Sequence, residues 1–412
     1  MNNLSVLCLA VAGLSACNGS NSKSSETANA SSRSNAAEKP NIVIILTDDQ
    51  GYGDMKCYGN SRLQTPNLDQ LAAEGIRFTN FYAGAAASTP SRAALLTGRY
   101  AERAGLQGVV DDLSVNGLES DEFTLADYLK QNNYATGIFG KWHLGCLPEH
   151  LPLRHGFNEF FGLPYSNDMW PFHPQPGHPY RALPLYDNER VVEYNPTVNH
   201  MTTRITERAT AFIDKHKNEP FLLYVPYTQP HVPLGVSDKF KGKSGEGLYA
   251  DVIMEIDWSV GEIMKTLKEN GLDDHTLVLF TSDNGPWLSY GNHGGSTGGL
   301  REGKGTTFEG GQRVPFIARM PGRIPAGKVS EQFLSALDIT PTIVELTGSQ
   351  MPRMNEFDGE NVWMTLTGQA QSHKPFYFLY DGKVEAVRDG KWKCVAPHEY
   401  RIVTEPGKDG LP

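Results

Sequence analysis

Four apolar runs in the sequence each end in polar side chains suited to chemistry. "NIVIILTDDQ" closes on Asp48 and Asp49, "ATGIFGKWH" on Lys141 and His143, "FLLYVPYTQPH" on His231, and "TLVLFTSDNG" on Asp283 and Asn284. Asp48, Asp49, Asp283 and Asn284 are hard oxygen donors with no Cys among them, a set that suits Ca²⁺ or Mg²⁺ better than Zn²⁺. A fifth stretch, "GAAASTPSRAALLTGRY", reads as a turn feeding a helix, with Pro90 in its first turn and Gly98 as its stop. Ser88 stands at the head of that helix with Arg92 four residues on, and Ser88, Thr89 or Ser91 can each serve as its cap. Taken singly, these pieces have bland readings. A "DD" pair caps a turn, "DNG" makes a tight turn, and Arg92, Lys304 or His231 is a surface or structural side chain. Repetition of the pattern at four strand ends is what points to one site.

The elements that must position these residues follow from periodicity. Residues 42–46, 136–139, 221–225 and 276–280 read as buried strands, and helical patterns occupy 124–132, 202–217 and 248–270. In the last of these, Leu248, Val252, Ile256, Val260, Ile263 and Leu267 share one face, and Gly271 ends the run. Strands alternating with helices imply an α/β sandwich around a large, mostly parallel sheet. In such sheets ligands bind beyond the carboxyl ends of the strands, so all four polar sets are expected along one edge. The tail "FYFLYDGKVEAVRDGKWKCV" has three short strand patterns separated by Asp381-Gly382 and Asp389-Gly390, which favour hairpin turns. The expected organisation is a catalytic domain over 39–373 and a small antiparallel subdomain over 374–412, the latter a short or incomplete form.

The formal net charge of −10 over 412 residues repels polyanions, so no nucleic-acid partner is expected. An anionic substrate must instead be drawn by a local cationic pocket. Leu4 to Ala16 is apolar but too short to span a bilayer, and it ends in "LSAC", which is similar to the lipobox of a bacterial lipoprotein signal. Residues 1–16 are therefore expected as a signal peptide and Cys17 as a lipidated N-terminus. Residues 17–38, rich in Ser, Asn and Ala, are expected as a disordered tether. The protein is then exported to the cell surface or periplasm, touching the membrane through that lipid alone. Of five cysteines, Cys8 and Cys17 fall in this leader, and Cys57, Cys146 and Cys394 allow at most one disulfide. Residues 148–199 show little periodicity and many prolines. They read either as a ligand-selecting loop, through Trp170, His173, His178, Tyr180 and Arg181, or as a packed surface loop. His293 in "GNHGG" reads as a loop residue near the mouth of the site.

Together the motifs resemble the type I, formylglycine-dependent sulfatases of the alkaline-phosphatase-like superfamily. Ser88-Thr89-Pro90-Ser91-Arg92, continuing through "AALLTGR", is similar to that family's (Cys/Ser)-x-Pro-Ser-Arg signature. "YATGIFGKWHLG" resembles its second signature, and "TSDNG" and "LREGKGTTFEGGQRVP" resemble its metal and late-lysine segments. The likeness runs from about residue 41 to 348, nearest the branch of arylsulfatase A and the N-acetylgalactosamine-6-sulfatases. It implies an alkaline-phosphatase-like fold and oxidation of Ser88 to formylglycine by a radical-type bacterial maturation enzyme. It also implies Ca²⁺, rather than Mg²⁺, held by Asp48, Asp49, Asp283, Asn284 and the modified Ser88. Arg92 then steadies the nucleophile, and Lys141 and Lys304 clamp the sulfate. His231 protonates the leaving oxygen and His143 takes a proton when sulfate is expelled. The implied reaction is hydrolysis of a sulfate ester on a carbohydrate, of GalNAc or galactose type. Two other readings remain: a phosphomonoester or phosphonate hydrolase, marked by a second metal set, and an inactive surface protein binding sulfated glycans, if Ser88 stays serine.

Overall fold

Strands buried on both faces need apolar residues at every position, and the four central runs supply them. The computed structural model describes residues 39–175, 177–350 and 357–412. The expected signal peptide, Cys17 and the tether lie outside the described residues. In chain order the strands are β1 (Asn41–Thr47), β2 (Ile76–Tyr82), β3 (Ala135–Lys141), β4 (Glu159–Leu163), β5 (Pro184–Asp187), β6 (Arg190–Tyr194), β7 (Phe221–Pro226), β8 (Thr276–Ser282), β9 (Phe316–Arg319) and β10 (Lys328–Ser335). They form one ten-stranded sheet in the order β10-β2-β9-β8-β1-β7-β3-β4-β5-β6. β8, β1, β7, β3 and β4 run parallel and side by side, while β9, β5 and β6 are antiparallel to their neighbours. The four strands expected from sequence are thus adjacent, each longer by a residue or more than its apolar run.

The principal helices are α1 (Pro66–Ala73), α2 (Ser88–Thr97), α3 (Leu125–Gln131), α4 (Met201–His216), α5 (Leu248–Glu269), α6 (Glu309–Gln312) and α7 (Ile339–Leu346). Period-two alternation along β1 sorts them into layers. Ile42, Ile44 and Leu46 pack with Leu95 and Leu96 of α2, Leu125 and Leu129 of α3 and Ile343 of α7. Val43 and Ile45 face the other way, toward Leu68 of α1, Ile205 and Phe212 of α4 and Ile256 of α5. α3 opens with a capping box between Thr124 and Asp127. α2 differs from expectation at its start. Its N-cap is Ala87 with no side-chain cap, Thr89 Oγ1 accepts from the Val110 N–H, and the Ser88 hydroxyl is turned elsewhere.

Residues 148–199 are not one loop. They contain β4, β5 and β6, which close one edge of the sheet. β4 is only five residues long and β6 is largely exposed, so neither carries an extended apolar pattern. The tail forms the expected antiparallel sheet of β11 (Phe376–Tyr380), β12 (Lys383–Asp389) and β13 (Trp392–Val395). Its first turn is Asp381-Gly382, both at positive φ, whereas the second is Gly390-Lys391, with Asp389 still paired to Trp392. Phe376, Phe378 and Ala386 bury this sheet against Tyr82, Ala94 and Leu337, and Lys39–Pro412 form one compact unit. Cys57, Cys146 and Cys394 are free thiols.

One glycine controls how β3 delivers its last residue. Gly140 has φ 138°, and a Cβ there would lie 1.8 Å from the Pro226 carbonyl oxygen of β7. Gly140→Ala is expected to lower stability by about 3 kcal/mol or more, read as a fall in the urea midpoint. An unchanged midpoint would show that β3 and β7 are not held this closely.

Candidate active site at the carboxyl edge of the sheet

Register places the carboxylates. Thr47 of β1 pairs with Ser282 of β8, so Asp48 and Asp49 leave the sheet level with Asp283 and Asn284. The Asp49 N–H donates to Asp283 Oδ1 at 3.0 Å and Asn284 Nδ2 donates to Asp49 Oδ1 at 2.7 Å. The first residue of α2 meets this pair of strand ends. Ser88 Oγ donates to Asp283 Oδ2 at 2.6 Å, lies 3.1 Å from Asp48 Oδ1, and accepts from Lys141 Nζ at 3.3 Å. Arg92, one turn on, donates through Nε and an Nη to Asp283 Oδ2 at 3.0 and 2.7 Å, and through its other Nη to the Lys141 carbonyl at 3.0 Å. Lys141 Nζ reaches Asp48 Oδ2 at 2.7 Å, and Lys304 Nζ reaches Asp49 Oδ2 at 2.8 Å. Nine sequence-derived candidates, Asp48, Asp49, Ser88, Arg92, Lys141, His231, Asp283, Asn284 and Lys304, therefore converge.

These charges are buried, so pairing decides their states. Burial opposes the Asp48 charge, but Lys141, His231 and Arg92 hold its carboxyl below the usual carboxylate range. Burial likewise opposes the Arg92 charge, and Asp283 and Asp48 more than offset it, pushing the guanidinium upward. Lys304 is raised, because Asp49 and Asp48 outweigh its burial. Lys141 is pulled below its ordinary value by burial, against the attraction of Asp48 and with Arg92 beside it.

The two histidines have different settings. His143 sits at φ 63°, a left-handed conformation that costs free energy for a non-glycine residue, as does Asp49 at φ 64°. Its Nε2 donates to the Val110 carbonyl at 2.9 Å, which leaves Nδ1 as the unprotonated nitrogen, buried and without a partner. Burial, then Lys141 and Arg92, push its pKa well down, so the ring is neutral. His231 donates from Nδ1 to the Val232 carbonyl at 2.5 Å and turns Nε2 toward Asp49 Oδ2 and Ser166 Oγ, each at 3.5 Å.

Above this cluster opens a cavity of about 230 Å³, lined by Ser88, His143, His231 and Lys304 together with residues the sequence reading missed. Ser166 and Asp168 directly follow β4, as the other polar sets follow their strands, and recognising that short strand would have found them. Ser166 Oγ accepts from Lys141 Nζ at 3.2 Å. Trp287 lies 4.3 Å under the Lys304 ammonium. Tyr380 and Arg401 come from the tail, for which no local signal exists. Several expected substrate residues lie elsewhere. Trp170 packs edge-on against Phe172, His178 stacks on Tyr180, and the His173 ring lies tilted against both. Arg181 is exposed, its N–H bound to Asp112. None of the five lines the cavity, although His173 Nε2 comes within 4.0 Å of Asp168 Oδ2 at its wall. His293 packs 3.4 Å from where a Gly410 Cβ would sit, beneath the tail rather than in the cavity.

The donor set fits a divalent cation. Asn284 spends both amide hydrogens, on Asp49 and on the Gly285 carbonyl, and its Oδ1 is buried with no donor facing it. Asp48, Asp49 and His231 offer ligand atoms within 4.8 Å of one another. The surrounding oxygens are hard donors of the kind Ca²⁺ and Mg²⁺ take.

Comparison with known proteins agrees with this geometry. Residues 40–349 match the Sulfatase family, and residues 303–404 match "N-sulphoglucosamine sulphohydrolase, C-terminal". Arylsulfatase A of Bos taurus is 43% identical over 382 residues, covering 87% of this chain and 75% of that protein. N-acetylgalactosamine-6-sulfatase of Canis lupus familiaris is 38% identical over 379 residues, covering 87% and 72%. A solved Bacteroides thetaiotaomicron structure, described with that organism's metabolism of multiple glycosaminoglycans, superposes with a TM-score of 0.81 at 30% identity and 91% coverage of both chains. With its fold, its buried cluster and these relatives in agreement, the chain belongs to the sulfatase family and is a sulfuric ester hydrolase.

Proposed function

We propose that the chain removes a sulfate ester from a carbohydrate of GalNAc or galactose type, using residue 88 as formylglycine and one Ca²⁺. One observation carries this reading: the Ser88 side chain is not a helix cap but is aimed among Asp48, Asp283 and Lys141. Asp48, Asp49, Asp283, Asn284 and residue 88 are the oxygens that would hold the ion. Bound there, Ca²⁺ would supply positive charge, and formylglycine at position 88 would supply a nucleophilic hydroxyl together with a second one that permits turnover.

The remaining roles belong to side chains. Arg92 steadies the position-88 side chain through Asp283, which accepts from both. Lys141 and Lys304 bear charge toward the sulfuryl oxygens, where negative charge spreads during transfer. His231, as an imidazolium that keeps its Nδ1 proton on the Val232 carbonyl, would give its Nε2 proton to the leaving sugar oxygen and end neutral. His143 Nδ1, neutral and unpartnered, accepts the proton as sulfate departs. The GalNAc or galactose preference draws support from the similarity to N-acetylgalactosamine-6-sulfatase. Export as a lipoprotein through Cys17, and maturation by a radical-type enzyme, remain part of the proposal.

Mass spectrometry of the peptide containing residue 88, from the native host, is expected to show two hydrogens fewer than serine requires. Unmodified serine in that protein would instead favour a surface protein that binds sulfated glycans. Lys304→Ala in the matured enzyme is expected to lower kcat by roughly 10²–10³ on a sulfated monosaccharide. A rate near wild type would remove Lys304 from the reacting group.

A further inference from the structure

The tail beyond β13 returns to the cavity and is pinned on both sides of Arg401. Before it, the Tyr400 ring packs edge-on against Phe308 at 4.7 Å, and its hydroxyl accepts from an Arg301 Nη at 2.7 Å. After it, the Gly407 N–H donates to the Ser289 carbonyl at 2.8 Å, and Asp409 exchanges two 2.8 Å hydrogen bonds with Asn292. An anchored segment therefore presents the Arg401 side chain at the cavity that also holds Ser88, His231 and Lys304.

Arg401 differs from the other cations there. Arg92, Lys141 and Lys304 are each committed to Asp48, Asp49 or Asp283 at 2.7–2.8 Å. Arg401 has no ion pair or hydrogen bond to any described residue, yet a guanidinium is charged at every working pH. The cavity-lining carboxylate, Asp168, is faced by His231 and Lys304, which hold it below the usual carboxylate range despite its burial. An uncommitted guanidinium, exposed on an anchored segment beside a substrate cavity, presents a fork of donors that fits a carboxylate or a sulfate.

We propose that Arg401 is a specificity residue that binds a second anionic group of the saccharide, a sulfate or a carboxylate distinct from the ester being cleaved. This rests on the reading above, in which the buried cluster takes the scissile sulfate and leaves Arg401 for another group. The preferred substrates are then oligosaccharides carrying more than one negative charge.

The test uses the matured full chain and three matched saccharides: one with a single sulfate, one with a second sulfate, and one with a uronic carboxylate in its place. Wild type is expected to favour at least one doubly anionic substrate by about tenfold in kcat/KM, and which one identifies the second group. Arg401→Ala should bring that ratio close to one, chiefly through KM. Arg401→Lys should keep part of it, and added salt should shrink it in wild type. No preference in wild type, or an unchanged ratio in Arg401→Ala, would overturn the role of Arg401 while leaving saccharide sulfatase activity standing. Failure of the matured enzyme to release sulfate from any of the three would overturn both readings together.

Discussion

Mutual neutralisation of charges that solvent does not reach is the constraint on which this structure depends. Asp48, Asp283, Arg92 and Lys141 are almost completely buried. Leaving any one of them unpaired in such surroundings costs on the order of 3–5 kcal/mol. Pairing requires four separate parts of the chain to arrive together: the end of β1, the end of β8, the first turns of α2, and the last residue of β3. Arg92, on α2, ties the other three through Asp48, Asp283 and the Lys141 carbonyl. A one-residue slip of β1 against β8 would turn Asp48 to the opposite face of the sheet. The apolar layers set that register, and the cluster makes an error in it expensive.

The same balance explains why the site suits an anion. Asp48, Asp49 and Asp283 are matched by Arg92, Lys141 and Lys304, so the set is close to neutral by itself. A divalent cation added to the buried oxygens leaves an excess of positive charge for a sulfuryl group, in a cavity where such charge is poorly screened. Membership of the sulfatase family accords with that arrangement. The whole-chain charge of −10 says nothing about this pocket, whose own charges nearly cancel.

Much of this was legible in the sequence because strand ends in a parallel sheet share one edge. Asp48, Asp49, Asp283 and Asn284 could be placed together once their apolar runs were read as neighbours. The cap of α2 was misleading in isolation, since Ser88 has the right type and place for a cap and is used differently. Ser166 and Asp168 escaped because β4 is five residues long and lies in a Pro-rich stretch. Trp170, His173 and Arg181 were singled out by residue type, but only packing decides which side of a loop faces a cavity. Arg401 reaches the site through tertiary hydrogen bonds of the tail, which leave no periodicity to read.

Everything proposed for catalysis depends on these strand-end oxygens holding one divalent ion against residue 88. The most direct measurement is a crystal structure of the protein grown with millimolar Ca²⁺, using the anomalous signal to locate the ion. The account predicts a single peak with Asp48, Asp49, Asp283 and the Asn284 side-chain oxygen as ligands, beside the residue-88 side chain. No calcium peak among these residues at millimolar Ca²⁺, or a bound ion held by other residues instead, would contradict it.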